Sequence, residues 1–145
     1  MTTKSTISCS IGTTDPLANL GIEVWLDNAQ LYNNDHVTDT QKLEWEFDED
    51  EADHELRFVM KNKTIDHTTV DANGNIVKDA SLIVNNVSFD DIELRQIFVD
   101  LAEYTHDFNG TQPTTTAKFY GEMGCNGTVS LKFSTPIYLW LLENM

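Results

Sequence analysis

Short runs of alternating apolar and polar residues are the feature that most restricts how this chain can fold. Residues 22–26, 43–47 and 129–133 each place apolar side chains at every second position. Successive side chains of a β-strand point to opposite faces, so a strand with one buried face shows this period of two. The pattern predicts half-buried strands with one wet face and one dry face.

Turn residues separate these runs. Asn73-Gly74 and Asn126-Gly127 each favour a type I′ hairpin, because both central residues of that turn take positive φ. Asp27-Asn28 can turn the first strand back onto the next. With about nine or ten short strands and no crossover helices, the sequence predicts an all-β fold, an antiparallel β-sandwich of jelly-roll type.

The segment 89–104 leaves two alternatives open. Apolar residues at helical spacing allow one helix, whereas β-branched residues favour two strands, 81–87 and 93–99, around Asp90-Asp91. We favour the two strands, with one short helix near 90–97 as the other option.

The two ends of the chain carry further expectations. The apolar run 137–142 is either a buried last strand or an edge strand that docks onto a partner. Residues 1–12 are polar and are expected to form an N-terminal arm or edge strand. Residues 13–145 then form a single β-sandwich domain.

The charge of the chain narrows its partners. Nine Lys and Arg against 24 Asp and Glu give a net charge of −15. Such a chain repels phosphate, so we expect neither nucleic acid nor an anionic membrane as a partner. Cations, neutral sugars and other proteins remain candidates, although acidic charge often serves solubility alone.

The start of the chain shows no signal-peptide pattern, and no apolar run is long enough to cross a membrane, so a soluble protein is expected. Cys9 and Cys125 can in principle pair, but two reduced thiols are favoured. No catalytic motif with a recognised spacing is present, so we do not expect an enzyme.

One group of oxygen-bearing side chains suggests a calcium site. Asp66, Asp71, Asn73 and Asp79 supply the hard oxygens that calcium prefers. Asp71, Asn73 and Asn75 fall at a spacing of two and are followed by Asp79, which resembles part of an EF-hand loop. The Asn73-Gly74 turn explains part of the same pattern without a metal. Calcium is therefore a candidate cofactor, and having no cofactor is the favoured expectation.

Two aromatic residues are candidates for stacking on sugar rings. Trp25 alternates against the apolar positions of its strand, and Tyr32 follows after the expected turn. A tryptophan on a wet strand face presents a flat apolar ring with a polar edge. In a two-sheet sandwich Trp25 can equally belong to the core.

Three segments resemble the calcium-dependent, xylan-binding type of carbohydrate-binding module. They are the strand and turn 22–28, the strand 54–62 that ends in Asn62, and the late strand 79–87, so the resemblance spans residues 22–94. It implies a β-sandwich that binds sugar. Asn62 is followed by Lys63 where that family's calcium loop has an Asn-Asp pair.

Two functions follow as hypotheses. The first is a virion structural protein of a tailed bacteriophage, a capsid decoration or tail-associated subunit that forms a homo-oligomer within a larger assembly. Its expected contacts are Ile7, Ile11, Ile137, Tyr138 and Trp140. The second is a sugar-binding adhesion module, with or without calcium.

Overall fold

The computed structural model describes residues 3–64, 69–70, 72–74, 76–108 and 110–145. Most of these residues lie in short strands, and two segments form helices. The strands are β1 Lys4–Thr13, β2 Gly21–Leu26, β3 Ala29–Asn34, β4 Gln41–Asp48, β5 Asp53–Lys61, β6 Thr69–Val70, β7 Ile76–Lys78, β8 Leu82–Phe89, β9 Ile92–Glu93, β10 Glu103–His106, β11 Thr115–Lys118, β12 Glu122–Met123 and β13 Gly127–Ser134. The helices are α1 Gln96–Leu101 and α2 Ile137–Asn144.

The strands form two main sheets. The five-stranded sheet has the order β12-β8-β1-β4, with β9 paired to β8. The six-stranded sheet has the order β11-β10-β13-β5-β2-β3, and β6 and β7 form a separate hairpin. Every pairing among the described strands is antiparallel. The predicted antiparallel β-sandwich is confirmed.

Aromatic side chains fill the space between the sheets. Phe89 of the five-stranded sheet and Phe133 of the six-stranded sheet have ring centroids 4.8 Å apart. Phe47 and Trp140 also contact Phe133, at 5.5 and 6.2 Å. Edge-on and tilted ring pairs of this kind add to the stabilisation from burial itself.

The expectation of an N-terminal arm or edge strand is wrong for the described residues of 1–12. The strand β1 lies inside the five-stranded sheet, between β8 and β4. Its alternate residues Ile7 and Ile11 are 0% and 2% exposed. Thr6 and Ser8 alternate with these core residues and are partly exposed on the outer face of the sheet.

The C-terminal run is a helix and not the expected strand. In α2, the buried residues Ile137, Trp140 and Leu141 recur at helical spacing and cover the end of the core. After Ile137 the helix has no β-branched residue, so propensity does not oppose a helix. The Glu49 carboxylate accepts the Ile137 amide hydrogen at 3.0 Å, which satisfies one of the helix's unpaired N–H groups.

The segment after β8 mixes both alternatives. The first strand and the turn at Asp90-Asp91 form as predicted, and β9 continues for two residues. The second strand is wrong beyond β9, because α1 takes up residues 96–101 and buries Phe98. The short helix thus lies slightly later than the predicted 90–97. Among the described residues, no helix is both long and apolar enough to cross a bilayer.

The three turn predictions had different outcomes. Asp27-Asn28 joins β2 to β3, and Gly74 lies at φ 83° between β6 and β7, so both predicted hairpins are confirmed. Asn126-Gly127 makes no hairpin, because β12 and β13 belong to different sheets. A Cβ atom at Gly127 would collide with the Thr105 carbonyl of β10, so this glycine permits close strand approach.

Candidate functional site

The outer face of the six-stranded sheet carries one continuous row of side chains. The strands β2, β5 and β13 turn Val24, Phe58 and Val129 toward the core, so their neighbours in sequence point outward. The strand register places six residues side by side in what we call the outer row. Its members are Gln30, Trp25, Arg57, Ser130, Glu103 and Lys118.

Trp25 is the aromatic member of the outer row, and its ring is partly exposed. The indole Nε1 donates to Glu23 Oε1 at 3.1 Å, and Gln30 Nε2 donates to the same oxygen at 2.9 Å. The guanidinium carbon of Arg57 lies over the ring, 5.7 Å from its centroid. These contacts hold the indole in a defined orientation, which lowers the entropy lost when a ligand contacts it.

Arg57 is itself held from several sides. Its Nη2 donates to the Asp27 carbonyl oxygen at 2.7 Å, and its Nε lies 3.6 Å from Glu55 Oε1. The Ser130 hydroxyl donates to the other oxygen of Glu55 at 2.6 Å. The outer row is therefore a connected polar network around one indole ring.

Tyr32 does not share this surface with Trp25. It pairs with the inward-facing Val24, whereas Trp25 pairs with Gln30. Leu31 is the extra residue between these two pairs, a bulge that changes which side chains share a face. Tyr32 consequently packs beside Trp45, with ring centroids 6.3 Å apart. The two predicted stacking residues thus lie on opposite faces of the sheet.

A histidine joins two carboxylates at one end of this sheet. His54 Nδ1 lies 2.7 Å from Asp27 Oδ2, and His54 Nε2 lies 2.8 Å from Asp50 Oδ1. We call these three residues the His54 clasp. Asp27 follows β2 and Asp50 precedes β5, so the clasp ties the β2–β3 turn to the loop that crosses between the sheets.

The clasp favours a charged imidazole. Burial by itself lowers the pKa of His54, but the hydrogen bonds to Asp27 and then Asp50 outweigh it, so the pKa is raised. The same His54 contact, helped by the Thr135 hydroxyl, lowers the pKa of Asp50. An imidazolium donates from both ring nitrogens, which fits a carboxylate on each side.

A cavity of about 660 Å³ opens beside the clasp where β5 and β13 meet α2. Phe133 and Trp140, both buried, form its apolar part, and charged residues form the rest. Its lining residues are Asp27, Asp53, His54, Glu55, Lys132, Phe133, Ser134 and Trp140. It is open to solvent over most of its extent and is therefore a surface depression, not an enclosed pocket.

Of the four predicted calcium ligands, the structure describes Asn73 and Asp79. Asp66 and Asp71 lie outside the described residues, and Asn73 is exposed in its turn. Asp79 Oδ1 accepts a hydrogen bond at 2.6 Å from Nζ of Lys63, whose side chain is 1% exposed. Among the residues the structure describes, no three His, Cys, Asp or Glu side chains are grouped to hold a metal ion. Calcium remains a prediction.

The predicted protein contacts are mostly inside the fold. Ile7, Ile11 and Ile137 are buried in the sandwich, and Trp140 is 7% exposed at the edge of the cavity. Tyr138, on the outer side of α2, is 61% exposed and is available to a partner. Ile137 and Trp140 are buried while Tyr138 is exposed, because helix residues face the core at intervals of three or four. A strand buries every second residue, so the strand prediction could not give this distribution.

Sequence reasoning missed the His54 clasp and the outer row. The clasp unites a turn residue, a loop residue and a strand residue, and no local spacing connects all three. The row depends on register between six strands. The alternation around Trp25 was the one local signal. It puts Trp25 opposite the apolar positions of its strand, but it decides neither whether that face is exposed nor which residues lie beside Trp25.

The comparisons with known proteins concern the fold. No protein-family model matches the chain, and no curated protein matches it. A solved structure of the carbohydrate-binding module vCBM60 in complex with galactobiose is similar, with a TM-score of 0.50 and 12% sequence identity. The similarity covers 87% of this chain and 96% of that one. At this identity it shows a shared β-sandwich fold.

Proposed function

We propose that this protein is a non-catalytic carbohydrate-binding module, and that its sugar-binding surface is the outer row around Trp25. The observation that carries the proposal is a partly exposed indole, held in place by Glu23 and Arg57, on a sheet face whose other residues are mostly polar. The C–H face of a sugar ring packs on a flat aromatic ring, while its hydroxyls need polar partners at the ring's edge.

The neighbours of Trp25 provide such partners. Glu23 accepts hydrogen bonds, Arg57 donates them, and the amide of Gln30 does both. Only one face of the indole lies under Arg57, so a sugar is expected to stack on the other. The fold shared with a sugar-binding module supports the proposal at the level of architecture.

The net charge favours neutral glycans over anionic ones. At −15 the chain repels sulfated or carboxylated sugars at long range, and low salt strengthens this repulsion. Beside the cations Arg57 and Lys118 this face carries Glu103 and, next to the row, Glu23 and Glu55, so it has no excess of positive charge that would attract an anionic sugar.

The test is a glycan array of neutral and anionic sugars with the purified protein, followed by titration of the best ligand. Trp25→Ala should weaken binding about tenfold or more, a loss of about 1.4 kcal/mol. Tyr120→Ala is the matched control, because Tyr120 is an exposed aromatic outside the outer row. Equal binding by wild type and Trp25→Ala would refute the proposed surface.

Calcium is tested by the same titration with calcium and with a chelator. A ligand that binds only with calcium would support the metal expectation and direct attention to residues 66–79. Equal affinity in both conditions would show that the sugar binds to the Trp25 surface without calcium.

A second role, as a subunit contact, has one specific observation in its favour. Tyr138, Leu142 and Met145 are 61%, 67% and 81% exposed on or beside α2, an apolar strip on a highly charged protein. Sedimentation of the wild type and of Leu142→Glu tests whether this strip joins copies of the chain. The placement in a virion stays a prediction without support from the similar structure.

A further inference from the structure

The outer row and the cavity beside the His54 clasp are adjacent parts of one surface. Glu55 lies two residues from Arg57 on the same side of β5, and it lines the cavity. Glu55 is also the residue to which Ser130 donates, so it belongs to both networks. A ligand that contacts Trp25 can therefore continue toward the cavity without crossing an apolar barrier.

The span of this surface exceeds one sugar ring. Arg57 lies beside Trp25, and Asp53 at the start of β5 lines the far part of the cavity. Four residues of extended strand separate the two, which corresponds to about 13 Å. A single ring stacked on the indole would leave the cavity empty of sugar.

The cavity has the hydrogen-bonding side chains that a second sugar-binding site needs. Asp27, Asp53 and Glu55 present carboxylate oxygens, which accept hydrogen bonds from hydroxyl groups. Each carboxylate oxygen has two lone pairs, so the oxygens already bonded within the protein keep acceptor capacity. Lys132, exposed and directly opposite Glu55 in the register, adds a donor.

The charges of the same lining residues decide whether a neutral or an anionic ligand is favoured. Three carboxylates face one lysine and the partly buried imidazole of His54, so the carboxylates dominate the rim. An anionic sugar entering here would meet like charge at close range. Phe133 and Trp140 provide apolar surface below the polar rim.

We infer that the protein binds neutral oligosaccharide chains of more than one sugar unit, with one unit on Trp25 and a further unit in the cavity lined by Asp53, Glu55 and Lys132. This rests on the proposed function. The two sugar sites lie one after the other along β5, so an oligosaccharide long enough to fill both binds more tightly than a single sugar.

The experiment is calorimetric titration with two series of neutral ligands. One is galactose, galactobiose and longer galacto-oligosaccharides, and the other is xylose and its linear oligomers. In the series that binds, affinity should rise about tenfold from the single sugar to the longer chain. Oligogalacturonates of matched length should bind more weakly, and most weakly at low salt.

One double variant separates the contribution of the cavity from that of the indole. Asp53→Asn combined with Lys132→Ala should remove most of the gain with chain length and leave single-sugar binding unchanged. Lys42→Ala is the matched control, because it removes an exposed lysine of β4, in the other sheet and outside the outer row. Thermal melts confirm that each variant is folded.

The outcomes are distinct. Single sugars that bind as tightly as long chains would overturn the extended site and preserve the proposed function, provided that Trp25→Ala loses binding. Chain-length dependence that survives the double variant would also overturn it. A wild-type protein that binds no member of either series would overturn both the extended site and the proposed function for these glycans.

Discussion

The outer faces of the two sheets follow the same alternating pattern and carry different chemistry. On the five-stranded sheet, Ser8 lies opposite Glu44 and Thr6 opposite Glu46, so short hydroxyls face carboxylates. On the six-stranded sheet, Trp25 lies opposite Arg57 in the same kind of position. Both faces are exposed to solvent, but among the described residues it is the second that combines an aromatic ring with fixed donors and acceptors.

Cavities beside the two sheets also differ in their aromatic residues. The cavity on the five-stranded sheet, of about 420 Å³, is lined by no aromatic residue. The larger cavity, at the end of the six-stranded sheet beside α2, includes the core residues Phe133 and Trp140. The comparison teaches that alternation decides which residues meet water, whereas the identity of one or two outward residues decides whether a face can recognise a ligand.

The largest effect is expected from removing β1. Deleting residues 1–12 takes the strand between β8 and β4 out of the five-stranded sheet and removes Ile7 and Ile11 from the core. A domain stable by about 5–15 kcal/mol cannot lose an interior strand and stay folded. Circular dichroism and thermal melting should show no cooperative transition. A well-folded truncated protein would contradict the interior position of β1.

A smaller effect separates the two faces of one sheet. Phe58 is fully buried on β5 and contacts Phe98, with ring centroids 6.4 Å apart. Phe58→Ala should lower the free energy of unfolding by about 3–5 kcal/mol. Trp25→Ala, on the outer face, should cost only about 1 kcal/mol, chiefly the Arg57 contact. Denaturant titration measures both losses. A larger loss for Trp25→Ala than for Phe58→Ala would show that Trp25 belongs to the core.

The smallest effect concerns the His54 clasp, which ties the β2–β3 turn to the loop that crosses between the sheets. The raised pKa of His54 adds stability that is complete below the ordinary value of 6.5 and is lost as pH rises through the raised value. The lowered pKa of Asp50 adds stability above its ordinary value of 3.8, lost as pH falls through the lowered value. The clasp therefore stabilises the fold most between the two ordinary values, pH 3.8 and pH 6.5.

The measurement is the melting temperature of His54→Gln against pH. The variant should melt about 2–4 °C below wild type near pH 5, and the gap should narrow in alkaline buffer. His36→Gln is the control, because His36 is exposed. A gap that stays constant across this range would show that His54 acts by packing alone.

Much of the fold could be predicted from local patterns. The strands at 22–26, 43–47 and 129–133 formed where alternation placed them, and the turns at Asp27-Asn28 and Asn73-Gly74 joined the strands they separate. Period-two burial and turn chemistry act within a few residues, so a sequence displays them directly.

The errors occurred where a pattern fits two structures. The run 137–142 is apolar at nearly every position, and such a run can be a buried strand or a helix that covers a core. The end of the sandwich needed a cover over Phe89 and Phe133, and Trp140 of α2 supplies it. Asn126-Gly127 resembles a hairpin turn, but its glycine serves the contact with β10.

The sequence by itself determined that this is an acidic β-sandwich with Trp25 on an alternating strand. Only the tertiary structure decided that Trp25 faces outward beside Arg57, that Tyr32 faces the other way, and that His54 bridges Asp27 and Asp50. The physical reason is the distance along the sequence over which each signal acts. Alternation is a property of neighbours in the chain, whereas a site depends on strand register, a single bulge and loop crossings that bring distant residues together.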